Sequence, residues 1–403
     1  MLLHRPKYKY FNNLIFKPQN NVYNTPQLLL PHQQGGAVQQ LDELLVRALN
    51  AGASDVHVEP GAGSFRLRFR IDGRLQVVAQ PPLALRDAMV SRIKVMARMD
   101  IAEKRLPQDG RLQYPFQGQT VDVRVSSIPT VHGEKIVMRL LNFCQERPAL
   151  SALGLEAEDE ALLRKAFSRP HGMVLVTGPT GSGKTLSLYS CLELINREDQ
   201  NLACVEDPCE IYLPGANQVN IHERAGLTFA SALRALLRQD PDVIMVGEIR
   251  DAETAEIAVQ AAHTGHLVLS TLHTNDAPST LERLRHMGVA PYQVASSVHF
   301  VLAQRLVRRL CIHCKAPTPQ SPQMYQARGC ALCDRGYKGR VGIFQAMPVS
   351  TALQQLILQG SDASTLSAQA QQEGMRSLRE AGWRKVLQGV TSAQEVLSLT
   401  HDA

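Results

Sequence analysis

The sequence contains Gly178-Pro179-Thr180-Gly181-Ser182-Gly183-Lys184-Thr185, which has the pattern G-x-x-x-x-G-K-[ST] of a phosphate-binding loop. An apolar run ends at Thr177 just before this stretch, and leucines at helical spacing follow it. A glycine-rich turn between a strand and a helix lets backbone N–H groups and the helix N-terminus surround phosphates. We therefore expect the stretch to bind ATP, with Lys184 on the β- and γ-phosphates and Thr185 on Mg²⁺. An accidental glycine-rich turn is the alternative, and the flanking strand and helix argue against it.

Short apolar runs around this loop alternate with helical patterns. The runs are 173–177, 243–246 and 267–270. Continuous Val, Ile and Leu are typical of parallel strands buried on both faces, and alternation with helices predicts a sheet that helices cover. We therefore predict an α/β fold, a RecA-like P-loop ATPase domain with a mostly parallel central sheet.

A chain of 403 residues exceeds one ordinary hydrophobic core, so two or three domains are expected. Strand and turn patterns predict a small α+β domain before the ATPase domain, and helices that end at Gly374, Gly382 and Gly389 after it. The expected division is a disordered lead-in at 1–37, the α+β domain at 38–147, the ATPase domain at 148–310, a tetracysteine insert at 311–345 and a helical region at 346–403.

Composition limits the class of protein. Hydrophobic residues form 44% of the chain and charged residues 20%, a balance that excludes disorder along the whole chain. The formal charge of +6 suits a polyphosphate, an acidic membrane face or nucleic acid, and does not choose among them. The N-terminal residues lack the apolar run of a signal peptide, and polar residues interrupt the uncharged stretches 257–275 and 287–304. We expect a cytoplasmic protein without membrane spans.

A second phosphate-site strand is predicted at Asp240-Pro-Asp242-Val-Ile-Met-Val-Gly247-Glu248. Four apolar residues lead to an acid, although Gly247 stands where an aspartate usually precedes the glutamate. At the end of this strand, Glu248 could polarise the attacking water or hold Mg²⁺. A solvated glutamate at a strand end is the alternative.

Two polar clusters lie in the same domain. The first is Val205-Glu206-Asp207-Pro-Cys-Glu210, whose crowded carboxylates suggest a cation or an activated water, and which taken alone is as compatible with an acidic turn. The second is an apolar strand bracketed by His266 and His273. A histidine at a sheet edge can sense a γ-phosphate, and a lone one is more often structural.

Four cysteines have the spacing of a tetrahedral zinc site: Cys311-x₂-Cys314, fifteen residues, then Cys330-x₂-Cys333. The segment between the pairs has three prolines and little apolar surface, so metal binding is expected to supply its folding energy. Four cysteine ligands leave no open position, so the Zn²⁺ is expected to be structural. Disulfides are the weaker reading in a reducing compartment.

The motifs GPTGSGKT, VEDPCE, DPDVIMVGEIRD and GHLVLSTLHTND follow one another in an order that resembles the secretion ATPase superfamily. With the cysteine insert and the segment RLPQDGR (105–111), the chain is similar to the assembly branch, GspE/PilB, and to its HofB-like members. The resemblance covers residues 40–400. It implies a homo-hexamer on the cytoplasmic face of an inner-membrane platform protein. There, ATP hydrolysis would rotate the small domain against the ATPase domain.

The resemblance also implies a role for each motif. Gly178 to Thr185 corresponds to the Walker A loop and Glu248 to the Walker B acid. Glu206, Asp207 and Glu210 correspond to the Asp box, with Glu210 in a catalytic role, and His266 and His273 to the His box. Arginines of the small domain enter the nucleotide site in this family, and Arg111 and Arg124 are the candidates here. We expect them to complete a site shared with a neighbouring subunit.

Three other functions compete with an assembly motor. A nucleic-acid translocase needs a basic stripe with aromatic residues, and aromatics form only 5% of the chain, so nucleic acid is not the expected partner. The cysteine insert argues against a retraction motor, and intact Lys184, Thr185 and Glu248 argue against a pseudo-ATPase. Assembly ATPases usually carry a further N-terminal domain, for which 1–37 is too short, so the mode of attachment stays open.

Overall fold

The structure is a computed structural model that describes residues 36–141, 149–319 and 321–400. The predicted disordered lead-in therefore lies outside the described residues, apart from Gly36 and Ala37. The expected boundary between the first two domains, at 147, also falls outside them. Among the described residues, every helix is too short or too polar to cross a membrane.

The N-terminal domain consists of two helices on one face of a six-stranded sheet. Its elements are α1 (Ala37–Asn50), β1 (Asp55–Pro60), β2 (Phe65–Ile71), β3 (Arg74–Ala79), α2 (Arg86–Met96), β4 (Gln108–Phe116), β5 (Gln119–Thr130) and β6 (Gly133–Leu141). The strand order is β3-β2-β1-β6-β5-β4, and every neighbouring pair is antiparallel. This is the α+β fold that the sequence predicted.

Alternating side chains build the core of this domain. In β2, Phe65, Leu67 and Phe69 are buried, whereas the arginines between them are not. The three apolar side chains belong to one cluster with Leu44 of α1 and Ile93 of α2. The other face of the sheet carries charged residues, of which Asp55 and Glu59 in β1 are buried.

The remaining described residues form the predicted ATPase domain, the cysteine insert and the C-terminal helices. Up to the last parallel strand, the elements are α3 (Ala157–Phe167), β7 (Gly172–Thr177), α4 (Lys184–Ile195), β8 (Leu202–Glu206), β9 (Asn217–Asn220), α5 (Phe229–Leu236), β10 (Val243–Val246), α6 (Ala252–His263), β11 (Leu267–Leu272), α7 (Ala277–His286), α8 (Pro291–Ser297) and β12 (Val298–Leu310). The elements that follow are β13 (Ala316–Thr318), β14 (Ser321–Gln326), β15 (Tyr337–Pro348), α9 (Thr351–Leu358), α10 (Ala363–Gln372), α11 (Leu378–Leu387) and α12 (Ala393–Leu399).

The central sheet has the strand order β15-β12-β7-β11-β10-β8-β9. All neighbours from β12 to β9 are parallel, and only β15 is antiparallel to its neighbour. In β7, Met173 and Leu175 belong to the core that includes α5 to α8, whereas Val174 and Val176 belong to the core that includes α3 and α4. The predicted RecA-like α/β fold, with a mostly parallel sheet buried on both faces, is confirmed.

The cysteine insert is a loop between two strands of the central sheet. Because β15 pairs with β12, it belongs to the ATPase sheet, whereas the sequence-based boundary at 345 put most of β15 in the insert. Local patterns do not reveal this pairing, since the two strands are separated by the whole insert. The insert itself contains the hairpin β13–β14.

One glycine expected to end a helix lies inside one. Gly382 is within α11, where a β-carbon would come 2.5 Å from Cγ1 of Val396 in α12. Glycine therefore allows these two helices to approach closely. Gly374 and Gly389 do follow helix ends, with φ of 101° and 66°.

The hairpin β2–β3 connects the N-terminal domain to the region of the cysteines. The N–H of Gly339 donates to Oδ2 of Asp72 over 2.8 Å. Nε2 of Gln76 donates to Oδ2 of Asp334, directly after Cys333, over 3.0 Å. The two domains are thus hydrogen-bonded to each other next to the cysteine cluster.

Candidate nucleotide site and metal centre

Four parallel strands end at one edge of the central sheet, and the predicted phosphate-site residues follow them. The phosphate loop follows β7, Asp207 follows β8, Glu248 lies two residues after β10, and His273 follows β11. The carboxyl ends of neighbouring parallel strands lie at the same edge, where ligands of α/β sheets bind. The structure therefore brings these groups around one crevice.

Glycine is required at both ends of the phosphate loop. Gly178 has φ of 151°, and a β-carbon there would lie 2.5 Å from the carbonyl oxygen of Gln304 and 2.6 Å from Oγ of Ser182. Gly183 has φ of 87° and precedes the first residue of α4. Glycine adopts such conformations without strain, so the backbone itself explains the pattern.

Lys184 begins α4 and is only 8% exposed. Its Nζ donates to the carbonyl oxygens of Gly178 (2.8 Å) and Pro179 (3.2 Å). Burial lowers the pKa of Lys184 to about 8, although the Glu248 carboxylate acts in the opposite direction. An ammonium has three N–H donors, so one stays available for a phosphate oxygen.

Two side chains with nitrogen donors hold the carboxylate of Glu248. Its Oε1 accepts a hydrogen bond from Nη2 of Arg250, and its Oε2 lies 3.0 Å from Nε2 of His273. Burial raises the pKa of Glu248, but the hydrogen bonds from Arg250 and His273 outweigh this and lower it. Glu248 is therefore ionised at neutral pH, as a residue that orients a water must be.

The strand ends beside Glu248 are close together. A β-carbon at Gly247 would lie 3.3 Å from the carbonyl oxygen of Val205, which is tight for any side chain. This proximity gives a reason for glycine where an aspartate usually precedes the glutamate. Nη1 of Arg250 also lies 3.5 Å from Oδ2 of Asp207, which connects the end of β8 to Glu248.

The three acids of the Asp box have different surroundings. Glu206 is 3% exposed, and its Oε1 accepts from the hydroxyl of Tyr189 over 2.6 Å. Burial raises the pKa of Glu206, despite hydrogen bonds from Tyr189, Cys209 and Gln218. Glu206 is therefore a buried residue next to the crevice, whereas Asp207 and Glu210 are exposed.

The structure does not bring His266 to the phosphate loop. His266 precedes β11 and His273 follows it, so the full strand, ~20 Å long at ~3.3 Å per residue, separates them. Nδ1 of His266 lies 3.0 Å from the carbonyl oxygen of Ala261. Of the two histidines that the resemblance assigned to the nucleotide, the structure places only His273 at the crevice.

Two residues of β12 that the sequence reasoning did not single out contact or lie near the loop. Oε1 of Gln304 accepts from Oγ of Ser187 in α4 over 2.7 Å. Besides burial, the charge of Arg305 lowers the pKa of Lys184, so the two cations are close. No local motif marks either residue. Only the pairing of β12 with β7 places them there.

Charged residues form one row across the face of the N-terminal sheet that is opposite its two helices. Following the register from β2 to β4, the row is Arg70, Asp55, Arg139, Arg124 and Arg111. Asp55 accepts from Nε of Arg139 over 3.2 Å. Like charges directly opposite each other destabilise a strand pair, so the arginines at the β4–β5–β6 end favour an anion between them.

Arg124 in this row faces the ATPase domain of its own chain. Its Nε and Nη2 are buried and have no hydrogen-bond partner among the described residues. Burial and the charge of Arg111 lower the pKa of Arg124, while Asp207 and Glu210 act to raise it. The structure thus places Arg124 near the acidic segment of the same chain, whereas the sequence expectation was a site shared with a neighbouring subunit.

The four predicted cysteine ligands come together in one cluster. The sulfur atoms of Cys311, Cys314, Cys330 and Cys333 all lie within 4.8 Å of one another. Cys311–Cys330 and Cys314–Cys333 are 3.9 and 3.7 Å apart. A tetrahedral ion with Zn–S bonds of about 2.3 Å separates its sulfurs by about 3.8 Å, so the cluster fits Zn²⁺.

The parallel sheet, the phosphate loop after β7 and Glu248 after β10, with β11 between these two strands, define a P-loop ATPase domain. The four cysteines form a cluster whose spacing fits a metal ion. Residues 32–398 match the family described as "Type II/IV secretion system protein", and the chain belongs to this family.

Named relatives agree with this membership. The chain is 50% identical to the type IV pilus assembly ATPase PilB of Acinetobacter baylyi, over 91% of this chain and 66% of that protein. It thus spans just under two thirds of that relative's length. It is 45% identical to the type II secretion system ATPase E of Vibrio cholerae, over 96% of this chain and 78% of that protein. These names confirm the predicted GspE/PilB branch, and both relatives are named as ATPases, the class of enzyme that the sequence predicted.

A solved structure shares the architecture. The pilus retraction motor PilT with bound ADP superposes with a TM-score of 0.64 and 26% identity, over 90% of this chain and 97% of that chain. The chain therefore shares its fold with a protein that binds ADP.

Proposed function

We propose that this chain is a cytoplasmic, hexameric motor, peripheral to the inner membrane, that hydrolyses ATP to assemble a type IV pilus or a type II secretion pseudopilus through a platform protein. The convergence of the phosphate loop, Glu248 and His273 at one sheet edge carries the proposal. The names of the PilB and ATPase E relatives, which share half or nearly half of the residues, favour assembly over retraction.

The phosphate loop is the binding part of this site. Lys184 gives its free N–H to the β- and γ-phosphates and exchanges its carbonyl partners, Gly178 and Pro179, for phosphate oxygens. The hydroxyl of Thr185, the first residue after Lys184, is the group that would hold Mg²⁺. When bound, Mg²⁺ supplies positive charge to the phosphates.

Glu248 prepares the water that attacks the γ-phosphate. Hydrolysis forms a bond from the water oxygen to the γ-phosphorus and breaks the bond to the bridging oxygen, which gives ADP and phosphate. The ionised carboxylate orients the water and accepts its proton, which then passes to the phosphate. His273 and Arg250 keep the carboxylate ionised and fixed in direction.

The arginines in the row of charged residues on the N-terminal sheet connect ATP hydrolysis to movement of the N-terminal domain. Arg111 and Arg124 lie opposite each other on neighbouring strands, and Arg124 already faces Asp207 and Glu210. A triphosphate in the crevice would attract both guanidinium groups and draw the N-terminal domain toward the ATPase domain. Loss of the γ-phosphate would release them. In a ring, this change of angle between domains becomes work on the platform protein.

The metal centre has a structural role in this proposal. Four thiolates complete the coordination of Zn²⁺ and leave no position for a substrate, so zinc would stabilise the insert between β12 and β15.

Magnesium-dependent ATPase activity of the purified chain, at several protein concentrations, tests the proposal. Lys184→Ala should lower turnover by about 10³-fold while the fold survives, because binding and transition-state charge both depend on this ammonium. The chain should form a hexamer as its concentration rises, and an inner-membrane protein should copurify. Unchanged turnover in Lys184→Ala would overturn the ATPase assignment, and a chain that stays monomeric at high concentration with ATP would overturn the hexamer.

A further inference from the structure

Arg305 lies beside the phosphate loop but outside the motifs that define it. It follows Gln304, whose carbonyl oxygen is so close to Gly178 that a β-carbon there would be 2.5 Å away. The register of β12 puts Ala303 opposite Thr177, the last residue before the loop. Arg305 is thus fixed near Lys184 by the pairing of two strands.

The guanidinium of Arg305 is directed toward the segment that follows β11. Its Nη2 donates to the carbonyl oxygen of Asn275 over 2.8 Å and lies 3.3 Å from Oδ1 of the same residue. Its Nη1 donates to the carbonyl oxygen of Gln304 over 3.1 Å. Arg305 therefore joins β12, the strand next to β7, to the segment that carries His273.

A second connection, from Thr177 at the end of β7, holds the same segment on both sides of His273. The N–H of Thr274 donates to the hydroxyl of Thr177 over 3.0 Å, and this hydroxyl bonds the carbonyl oxygen of Leu272 over 3.0 Å. His273 lies between these anchors, with its Nε2 3.0 Å from Glu248. Because its own side chain is exposed, its direction depends on the backbone on both sides of it.

We infer that Arg305 is a positioning residue for ATP hydrolysis, which holds His273 against Glu248 through Asn275. This inference rests on the proposed ATPase function and adds to it a residue that acts through others. A guanidinium suits the role, since its planar donors can bond two oxygens of one residue, which a lysine ammonium does with less direction.

The consequence of losing Arg305 follows from this arrangement. In Arg305→Ala the segment 272–276 would lose its anchor on β12, and His273 would leave Glu248 for part of the time. We expect kcat to fall about 10- to 50-fold with KM changed less than about 3-fold, because the loss affects the chemical step. The pKa of Glu248 would rise without its partner, so the acid limb of kcat against pH would move to higher pH.

A double-mutant cycle tests whether Arg305 acts through His273. Wild type, Arg305→Ala, His273→Ala and the double variant are compared in kcat, KM and the acid limb of the pH profile. If Arg305 acts through His273, the double variant is no slower than His273→Ala. Arg305→Lys keeps the charge near Lys184 but not the paired donors, so it should recover little of the lost kcat. Arg309→Ala, an exposed arginine of the same strand, is the matched control and should behave as wild type.

Additive losses of kcat in the double-mutant cycle, or full recovery of kcat in Arg305→Lys, would overturn the inference. Arg305 would then act as an independent charge. Hydrogen–deuterium exchange of the peptide 272–276 gives a second readout that needs no turnover. Exchange should increase in Arg305→Ala and not in Arg309→Ala, and equal exchange in both would contradict the anchoring. A wild-type chain without ATPase activity would refute the proposed function, while the exchange experiment would still decide the anchoring.

Discussion

Nε2 of His273 lies 3.0 Å from Oε2 of Glu248, across the ends of the neighbouring parallel strands β11 and β10. This contact, with the bond from Arg250 to the other carboxylate oxygen, holds the pKa of Glu248 below its ordinary value although burial acts to raise it. A carboxylate that must be ionised to orient water therefore depends on a histidine from another motif.

Replacement of this histidine should change the pH dependence of catalysis. In His273→Ala the pKa of Glu248 rises, so protonation inactivates the site at a higher pH and the acid limb of kcat moves upward. Steady-state ATPase rates across the acidic range measure the shift. His266→Ala is the matched control, since it removes a histidine from the opposite end of the same strand. An acid limb that stays in place in His273→Ala would show that Glu248 does not need the contact.

ATP binding should take up protons in mildly alkaline solution. The buried ammonium of Lys184 has a pKa of about 8 without nucleotide, and a triphosphate beside it raises this pKa. At a pH between these two pKa values, Lys184 is deprotonated in the free chain and protonated in the complex with ATP. The affinity for ATP therefore falls as pH rises. Calorimetry at about pH 8.5 in two buffers of different ionisation enthalpy measures the uptake. Lys184→Arg keeps its proton, so its binding heat should not depend on the buffer. The same independence in wild type would contradict the prediction.

The parts of the site that the sequence predicted are those that local patterns encode. The loop needs glycine at Gly178 and Gly183 because both residues have positive φ and closely packed neighbours. A local pattern of glycines therefore reveals this backbone. The cysteines are recognisable because two CxxC pairs at this spacing are typical of a tetrahedral zinc site, and their four sulfur atoms lie within 4.8 Å of one another. Glu248 was placed correctly because an acid after a buried strand lies at the edge where parallel strands end.

The parts that were missed depend on pairing between distant segments. Arg305 reaches the loop only because β12 lies next to β7, more than a hundred residues away in sequence. His266 was grouped with His273 because both flank one apolar strand, and a linear motif does not show which end faces the ligand. Arg124 and Arg111 were named from the family resemblance, but their alignment with Arg139 follows from the register of three strands and has no local signal.

Zinc should stabilise the contact between the two domains as well as the insert. Asp334, next to Cys333, accepts from Gln76 of the N-terminal domain. Protein purified without chelator should contain one zinc per chain. Removal, or Cys333→Ser, should lower Tm by about 5–10 °C and increase hydrogen exchange at 72–76. Cys191→Ala alters a buried cysteine far from the cluster in sequence and should retain zinc. A zinc-free protein with unchanged Tm and exchange would exclude a metal role.

Arg124 should act on the nucleotide bound by its own chain. Its unpartnered guanidinium atoms are buried, and its neighbours Asp207 and Glu210 belong to the same chain. In Arg124→Ala we expect kcat to fall about 10²-fold or more with little change in ATP affinity, because an arginine that contacts the γ-phosphate stabilises mainly the transition state. Arg111→Ala should have the same direction of effect, since the two residues lie opposite each other. Steady-state kinetics measure kcat, and binding of a non-hydrolysable ATP analogue measures the affinity separately.

Mixed hexamers distinguish this arrangement from a site shared between subunits. Arg124→Ala chains lack the arginine and Lys184→Ala chains lack the loop lysine, so each variant alone has low activity. If the arginine serves its own chain, no subunit in a mixture has both groups and activity stays at the level of the single variants. If it serves a neighbour, a Lys184→Ala chain gives its intact Arg124 to the intact loop next to it, and activity returns in proportion to such pairs. Recovery on mixing would therefore contradict the geometry seen here. Fluorescence energy transfer between two differently labelled wild-type preparations shows that subunits exchange under the same conditions.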